Sequence, residues 1–272
     1  MTSNEKYEKL LCYLQNLEKV VLAFSGGVDS TFLLKAAKDA LGINVKAITI
    51  RTPYIPKWEI EEAKQLAQVL GVAHEIVDAP IIDEIRNNPE NRCYLCKRAV
   101  FGHIKSVAQN QGYPHVIDGT NLDDTKDYRP GLKALQELDI KSPLLECQVT
   151  KQEIRGFSKE LELTTWDKPS FACLLTRIPY GNELKLKDFE KIENAERYMM
   201  ERGFRAVRVR CHDNLARIEV DNKDRNKLFN EKLIDEISSK FKEFGFKYVT
   251  LDLEGYRVGS FNETMLSTTT NL

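Results

Sequence analysis

This sequence has almost no net charge, little histidine and no long apolar run. Forty lysines and arginines face 41 aspartates and glutamates, a formal charge of −1. From residue 181 onward the two signs match at 17 each. A nucleic-acid-binding module usually carries a basic excess, so the balance argues against one. No apolar stretch approaches the ~20 residues that span a bilayer, and the N-terminus shows no signal-peptide core. The expectation is a cytoplasmic protein with no membrane partner. Six cysteines in that compartment point to metal binding, catalysis or packing rather than disulfides. The four histidines (His74, His103, His115, His212) are scattered and a second C-x-x-C is missing, so a zinc site of recognisable spacing is absent. There is no internal repeat or low-complexity segment.

What is present begins with Val20-Val21-Leu22-Ala23-Phe24-Ser25-Gly26-Gly27-Val28-Asp29-Ser30. It reads as a buried strand, a tight Ser-Gly-Gly turn, and a helix opened by Asp29 and Ser30. Glycines let the backbone approach an anion, and the free N–H groups of a first helical turn point at it. The Asp29 carboxylate would repel bare phosphate unless a divalent cation lay between them. Loop plus acid therefore predicts a Mg²⁺–pyrophosphate site, with the nucleotide cut between its α and β phosphates to leave an adenylylated substrate. The Lys-[Ser/Thr] pair of the Walker loop is missing. The segment instead resembles the SGGxDS loop of the ATP pyrophosphatase (PP-loop) superfamily.

Around the loop, apolar periodicity predicts an amphipathic helix over 4–17 (Tyr7, Leu10, Leu11, Leu14) and helices at Thr31–Leu41, Trp58–Leu70 and Lys97–Gln111. Strands are expected at Val45–Ile50, Ala73–Val77 and His115–Asp118. Alternation of this kind means an α/β fold with a doubly wound parallel sheet. Ligands of such sheets sit at the carboxyl ends of strands, where Ser25 and Asp118 fall. Near 178–186 the pattern changes at a turn-rich joint. A first domain of 1–180 and a smaller α+β domain of 181–272 are expected. The second contains helices at Asp188–Glu201 and Lys232–Phe244 and an antiparallel arrangement of strands ending at Tyr248–Leu253; its tail, Thr264–Leu272, is polar and expected to fray.

Parity in Ala206–Cys211 puts Val207, Val209 and Cys211 on the core face and Arg208 and Arg210 on the other. The returning strand adds Arg217 and Glu219 to that second face. Arginine forks suit a phosphate monoester; a solvated face with Glu219 bridging the arginines is the alternative. Cys93-Tyr94-Leu95-Cys96 lies just before a predicted helix and is compatible with a redox dithiol, half a zinc site or coincidence. Cys173, near Arg177, adds a third thiol, and three thiolates can hold a [4Fe–4S] cluster with one iron open. Cys12, Cys147 and Cys211 are expected to be packing residues.

Taken together, Ala23–Ser30, Asp118-Gly119-Thr120-Asn121, Asp127-Tyr128-Arg129-Pro130-Gly131, Arg177-Ile178-Pro179-Tyr180-Gly181 and Arg208-Val209-Arg210 resemble the LarE family of the PP-loop superfamily, from about residue 4 to 260. The resemblance implies adenylylation of the carboxylates of pyridinium-3,5-biscarboxylic acid mononucleotide and replacement of oxygen by sulfur, in biosynthesis of the nickel-pincer nucleotide cofactor. By the same likeness Ser25, Gly26, Gly27 and Ser30 would bind the ATP phosphates and Asp29 the Mg²⁺. Arg208, Arg210 and Arg177 would hold the mononucleotide phosphate, beside Glu196 and Glu219. One family branch sacrifices a single cysteine; the other relays sulfide on a [4Fe–4S] cluster held by three. The sacrificial donor stands one position before Cys173, where this chain has Ala172, so Cys93, Cys96 and Cys173 favour the cluster branch and an external sulfide donor. Cys173 as sacrificial donor, and a tRNA thiolase of the same superfamily, are the alternatives. Relatives form homo-oligomers, commonly hexamers, which sets the expectation here.

Overall fold

The computed structural model describes residues 2–126 and 130–257. The segment Asp127-Tyr128-Arg129 and the tail containing Thr264–Leu272 lie outside the described residues. The chain divides into two compact units, Met1–Phe171 and Ala172–Leu272, a division ahead of the expected joint at 180.

In the first unit, four strands β1 (Val20–Ala23), β2 (Val45–Arg51), β3 (Ala73–Asp78) and β4 (His115–Ile117) pair in the order β3-β2-β1-β4. Every pairing is parallel. Helices α1 (Ser3–Leu17), α2 (Val28–Leu41), α3 (Lys57–Val69), α4 (Arg92–Asn110), α5 (Gly131–Glu137), α6 (Pro143–Glu146) and α7 (Lys151–Glu160) surround it. Strand parity explains the two layers. Val20, Leu22, Val45 and Ala47 point to one face, onto Leu10 and Leu14 of α1, Phe32 and Leu33 of α2 and Ile154 of α7. Val21, Ile48 and Ile50 point to the other, onto Phe101 and Ile104 of α4 and Leu135 of α5. A strand covered on both faces must be apolar throughout, and β1 is. The doubly wound α/β architecture expected from the alternation is therefore present. With β2 on one side of β1 and β4 on the other, the strand order reverses at β1, where such sheets open a ligand crevice.

The second unit holds α8 (Leu186–Glu201), β5 (Val207–His212), β6 (Leu215–Val220), α9 (Glu231–Glu243) and β7 (Tyr248–Leu251). The expected antiparallel sheet needs correction. β5 and β6 form the antiparallel hairpin, but β7 joins β6 in parallel, so the sheet is mixed. The physical reason is that α9 stands between β6 and β7, and a helical crossover returns the chain in the same direction.

Candidate functional site

At the end of β1 the chain turns through Ser25-Gly26-Gly27, and Gly27 becomes the N-cap of α2 with no side-chain cap. The helix thus starts one residue before Asp29, and the backbone N–H groups of its first turn lack the side-chain oxygen that usually satisfies one of them. Gly26 adopts a left-handed φ of +68°, and a Cβ there would come within 3.1 Å of the Ala63 Cα on α3, so the turn accepts only glycine without displacing that helix. The Ser25 and Ser30 hydroxyls lie 3.0 Å apart, and the Ser30 hydroxyl donates to the Gly27 carbonyl at 3.2 Å. From the segment that follows β4, Gly119 packs so closely that a Cβ would meet the Ser30 nitrogen at 3.1 Å. Beside it, Asp118 is held by the Thr120 hydroxyl at 2.5 Å and the Ser142 hydroxyl at 2.6 Å, which fixes the end of β4.

Two lysines that the sequence reading passed over reach this loop. Lys168 Nζ donates to the Gly26 carbonyl at 3.0 Å and pairs with Glu62 at 2.8 Å. Lys151 Nζ lies 2.5 Å from Asp29 Oδ2. The other carboxylate oxygen, Asp29 Oδ1, is buried with no hydrogen-bond partner among the described residues. Burial pushes the Asp29 carboxyl above its ordinary range; Lys151 pulls it back down, Asp124 pushes it up and Arg155 pulls it down. A buried carboxylate oxygen without a donor, at the uncapped start of a helix, fits a Mg²⁺ ligand. Thr150-Lys151-Gln152-Glu153 carries the Thr-x-x-Glu capping signature, which would have located the start of α7, though not the partner of Lys151.

The arginine cluster belongs to the second unit. Arg177 is 1% exposed and pairs with Glu196 through two bonds of 2.8 and 3.0 Å. Glu196 lies on the apolar stripe of α8 with Phe189, Ile192 and Met199, and it also accepts the Val209 N–H at 2.9 Å. Arg210 pairs with Glu219 at 2.8 and 2.7 Å and donates to the Thr176 carbonyl at 2.7 Å. Arg217 reaches Glu219 at 3.1 Å. Arg208 stacks its guanidinium 4.7 Å over the Tyr256 ring and donates to the Val207 carbonyl at 2.8 Å. The alternative reading of this face divides: Glu219 does bridge two arginines, Arg210 and Arg217, but the face is not solvated, because Arg208, Arg210 and Glu219 are buried and only Arg217 is part-exposed. Burial, with Arg177 and Arg210 nearby, holds the Arg208 guanidinium below its usual range, and Glu196 opposes that shift. The guanidiniums of Arg177, Arg208 and Arg210 are thus buried together with the carboxylates of Glu196 and Glu219, and forks of this kind have the geometry that recognises an anion.

The thiols are divided. Cys93 and Cys96 lie in the first two turns of α4, which starts at Arg92 rather than after the pair as expected. The earlier start follows from Pro89 and Asn91, whose carbonyls accept the Arg92 and Tyr94 N–H groups and wind the turn. Tyr54 Oη and Cys96 Sγ lie 3.1 Å apart. Burial raises the Cys96 thiol, the Tyr54 bond lowers it, and neighbouring Cys93 raises it. Cys173 belongs to the second unit, where its carbonyl accepts a bond from Arg177 at 3.2 Å. Among the described residues no three His, Cys, Asp or Glu side chains gather to hold a metal ion. Cys147 and Cys211 are buried packing residues as expected, but Cys12 is exposed, because it lies on the solvent side of α1. Burial pushes the Cys211 thiol up to about 12. Iodoacetamide applied to folded protein at mildly alkaline pH is expected to modify Cys12 and Cys93 and to spare Cys147 and Cys211 until denaturant is added, read by peptide mass spectrometry. Native-state modification of Cys211 would contradict its place in the core.

No described helix is long and apolar enough to cross a membrane. The family model described as queuosine biosynthesis protein QueC matches residues 19–92, which span the loop and β1 to β3. A Synechocystis protein described as uncharacterised is 42% identical over 96% of this chain and 98% of its own length. An uncharacterised protein of Methanocaldococcus jannaschii is 37% identical over 88% of this chain and 91% of its own. The pyridinium-3,5-bisthiocarboxylic acid mononucleotide synthase of Lactiplantibacillus plantarum is 37% identical over 96% of this chain and 95% of its own. With that identity running through both units from the loop to the arginine hairpin, the chain belongs to the family of this synthase, the LarE family of the ATP-using PP-loop proteins.

Proposed function

We propose that the protein is an ATP-dependent, AMP-forming sulfur transferase that converts carboxylates of a pyridinium-3,5-dicarboxylate mononucleotide to thiocarboxylates. The observation that carries this reading is the uncapped start of α2 with Asp29 Oδ1 in its first turn, buried and without a hydrogen-bond partner among the described residues. Ser25, Gly26, Gly27 and Ser30 bind the ATP phosphates. Asp29 would hold Mg²⁺, which when bound would supply positive charge to the phosphate oxygens. A substrate carboxylate oxygen attacks the α-phosphorus, and the α–β bond breaks. The backbone N–H groups of the first turn, fixed in place before the reaction, stabilise the departing charge. The product is a mixed acyl-phosphate anhydride, whose carbonyl carbon then accepts sulfur while AMP leaves. Arg208 and Arg210, with Arg177 behind them, take the mononucleotide phosphate, and Glu196 and Glu219 orient those forks.

The sulfur comes through the cysteine set, with an external sulfide donor if it is relayed. Cys173 as sacrificial donor would form a thioester and then eliminate, leaving thiocarboxylate and dehydroalanine, a loss of about 34 Da from the protein. Relay through Cys93, Cys96 and Cys173, the finer expectation of a [4Fe–4S] cluster, leaves the mass unchanged. Intact mass after turnover separates the two.

The test of the whole reading is pyrophosphate release on adding the pyridinium dicarboxylate mononucleotide. One pyrophosphate per thiocarboxylate is expected. Cleavage of ATP to ADP and phosphate, or sulfur appearing in tRNA with strongly salt-dependent binding, would sink it.

A further inference from the structure

Lys151 contributes an unassigned cation to the loop's acid. Its ammonium takes Asp29 Oδ2 at 2.5 Å, while Oδ1 is buried with no partner among the described residues. A divalent cation arriving at that carboxylate would meet a full positive charge already seated on it, and at this range the repulsion is strong. Release of Lys151 from Oδ2 relieves that repulsion and frees the second oxygen for the metal as well.

Its surroundings fix where it can go. The backbone at the start of α7 is pinned: Lys151 N–H donates to Asp123 Oδ2 at 2.8 Å. Thr150 and Glu153 close a capping box, and Lys6 ties Glu153 at 2.9 Å. The ammonium is not pinned in that way. It ends a flexible four-carbon stem, and the side chain is 30% exposed, so it can swing without moving the helix. The nearest new demand for a cation, once the carboxylate is taken, is the phosphate chain itself.

We propose that Lys151 is a placeholder cation: it occupies Asp29 in the nucleotide-free protein, yields that carboxylate to Mg²⁺ when Mg²⁺–ATP enters, and passes its charge to the phosphate oxygens. The inference rests on the ATP reading above and assigns Lys151 to nucleotide binding within it. A lysine of this kind keeps the partly buried carboxylate compensated before nucleotide arrives and discriminates against metal arriving without it.

The test uses the full chain, Mn²⁺ followed by electron paramagnetic resonance, and an ATP analogue with a methylene between the α and β phosphorus atoms. If about nine-tenths of nucleotide-free molecules have Asp29 occupied by Lys151, removing the lysine should strengthen Mn²⁺ binding without nucleotide about tenfold. The same Lys151→Met change should weaken binding of the Mn²⁺–analogue complex by a similar factor. Lys151→Arg, which keeps the charge, should preserve wild-type behaviour in both measurements. A purely structural ion pair predicts loss of both affinities together, and that result, or no change in either, overturns the proposal. If Lys151→Met does not fold, judged by its melting curve, Lys151→Gln takes its place. Asp29→Asn is the control. Should it leave Mn²⁺–analogue binding intact, the ATP reading and this inference fall together. If Asp29→Asn abolishes binding and Lys151→Met does not move the two affinities in opposite directions, only the placeholder fails.

Discussion

Asp29→Asn is expected to abolish nucleotide activation and at the same time make the protein harder to unfold. The activity loss follows from the metal: an amide oxygen is a poor ligand for Mg²⁺, and losing a group that stabilises the departing pyrophosphate costs about 10²–10³ in turnover. The stability gain follows from burial. Desolvation holds the Asp29 carboxyl above its ordinary range despite Lys151 beside it. A folded-state value above the unfolded one means the native protein binds that proton more tightly. The contribution is favourable below the ordinary carboxylate range and is lost as pH rises through the raised value. Asparagine removes the partly desolvated charge, and Lys151, 30% exposed, turns to solvent. A gain on the order of 1 kcal/mol, typical of a relieved active site, should move the melting temperature up by about 2–4 °C at neutral pH. The difference between the variants should shrink as pH falls through the Asp29 transition. A variant that loses both turnover and melting temperature would show that Asp29 is a structural acid instead.

Glu196→Gln should produce the largest loss of stability, about 3–5 kcal/mol, the usual result of breaking a buried ion pair from one side. Glu196 Oε1 receives both Arg177 Nε at 2.8 Å and the Val209 N–H at 2.9 Å, and Oε2 receives Arg177 Nη2 at 3.0 Å. An amide has one oxygen, so its NH₂ must face either the guanidinium or the strand, donor against donor. Arg177 is too buried to find water. Urea unfolding of the single variant should show a lower midpoint with an unchanged slope. The double variant Arg177→Met, Glu196→Leu removes both charges and should recover most of the loss, because desolvation is then no longer incurred. Equal loss in the single and double variants would mean that packing on the apolar stripe of α8, rather than charge, dominates.

The face that Glu196 helps to close is only half determined by local sequence. Parity along β5 correctly sets Val207, Val209 and Cys211 against Arg208 and Arg210, because side chains alternate by geometry alone. Parity says nothing about what covers the second face. That face is closed by Arg177, Glu196 and the cross-strand Glu219, residues up to 42 positions apart that satisfy one another only once the helix and hairpin meet. Residue type also misleads at Cys12, whose low polarity suggests packing, while the turn of α1 leaves it outside.

The sequence by itself determined the parallel α/β layout and the phosphate-type loop. Both rest on local rules: a continuous apolar run at Val20–Leu22, a glycine needed for positive φ at Gly26, and an acid in the first turn of α2. Only the tertiary structure decided that Lys151, 122 residues after Asp29, is the acid's partner, that Lys168 grips the Gly26 carbonyl, and that the arginine face is buried. The reason is physical. Backbone turns and side-chain parity are set by neighbours a few residues away, whereas charge compensation is settled by whichever groups the folded chain brings within hydrogen-bond reach, and no spacing rule records that distance in advance.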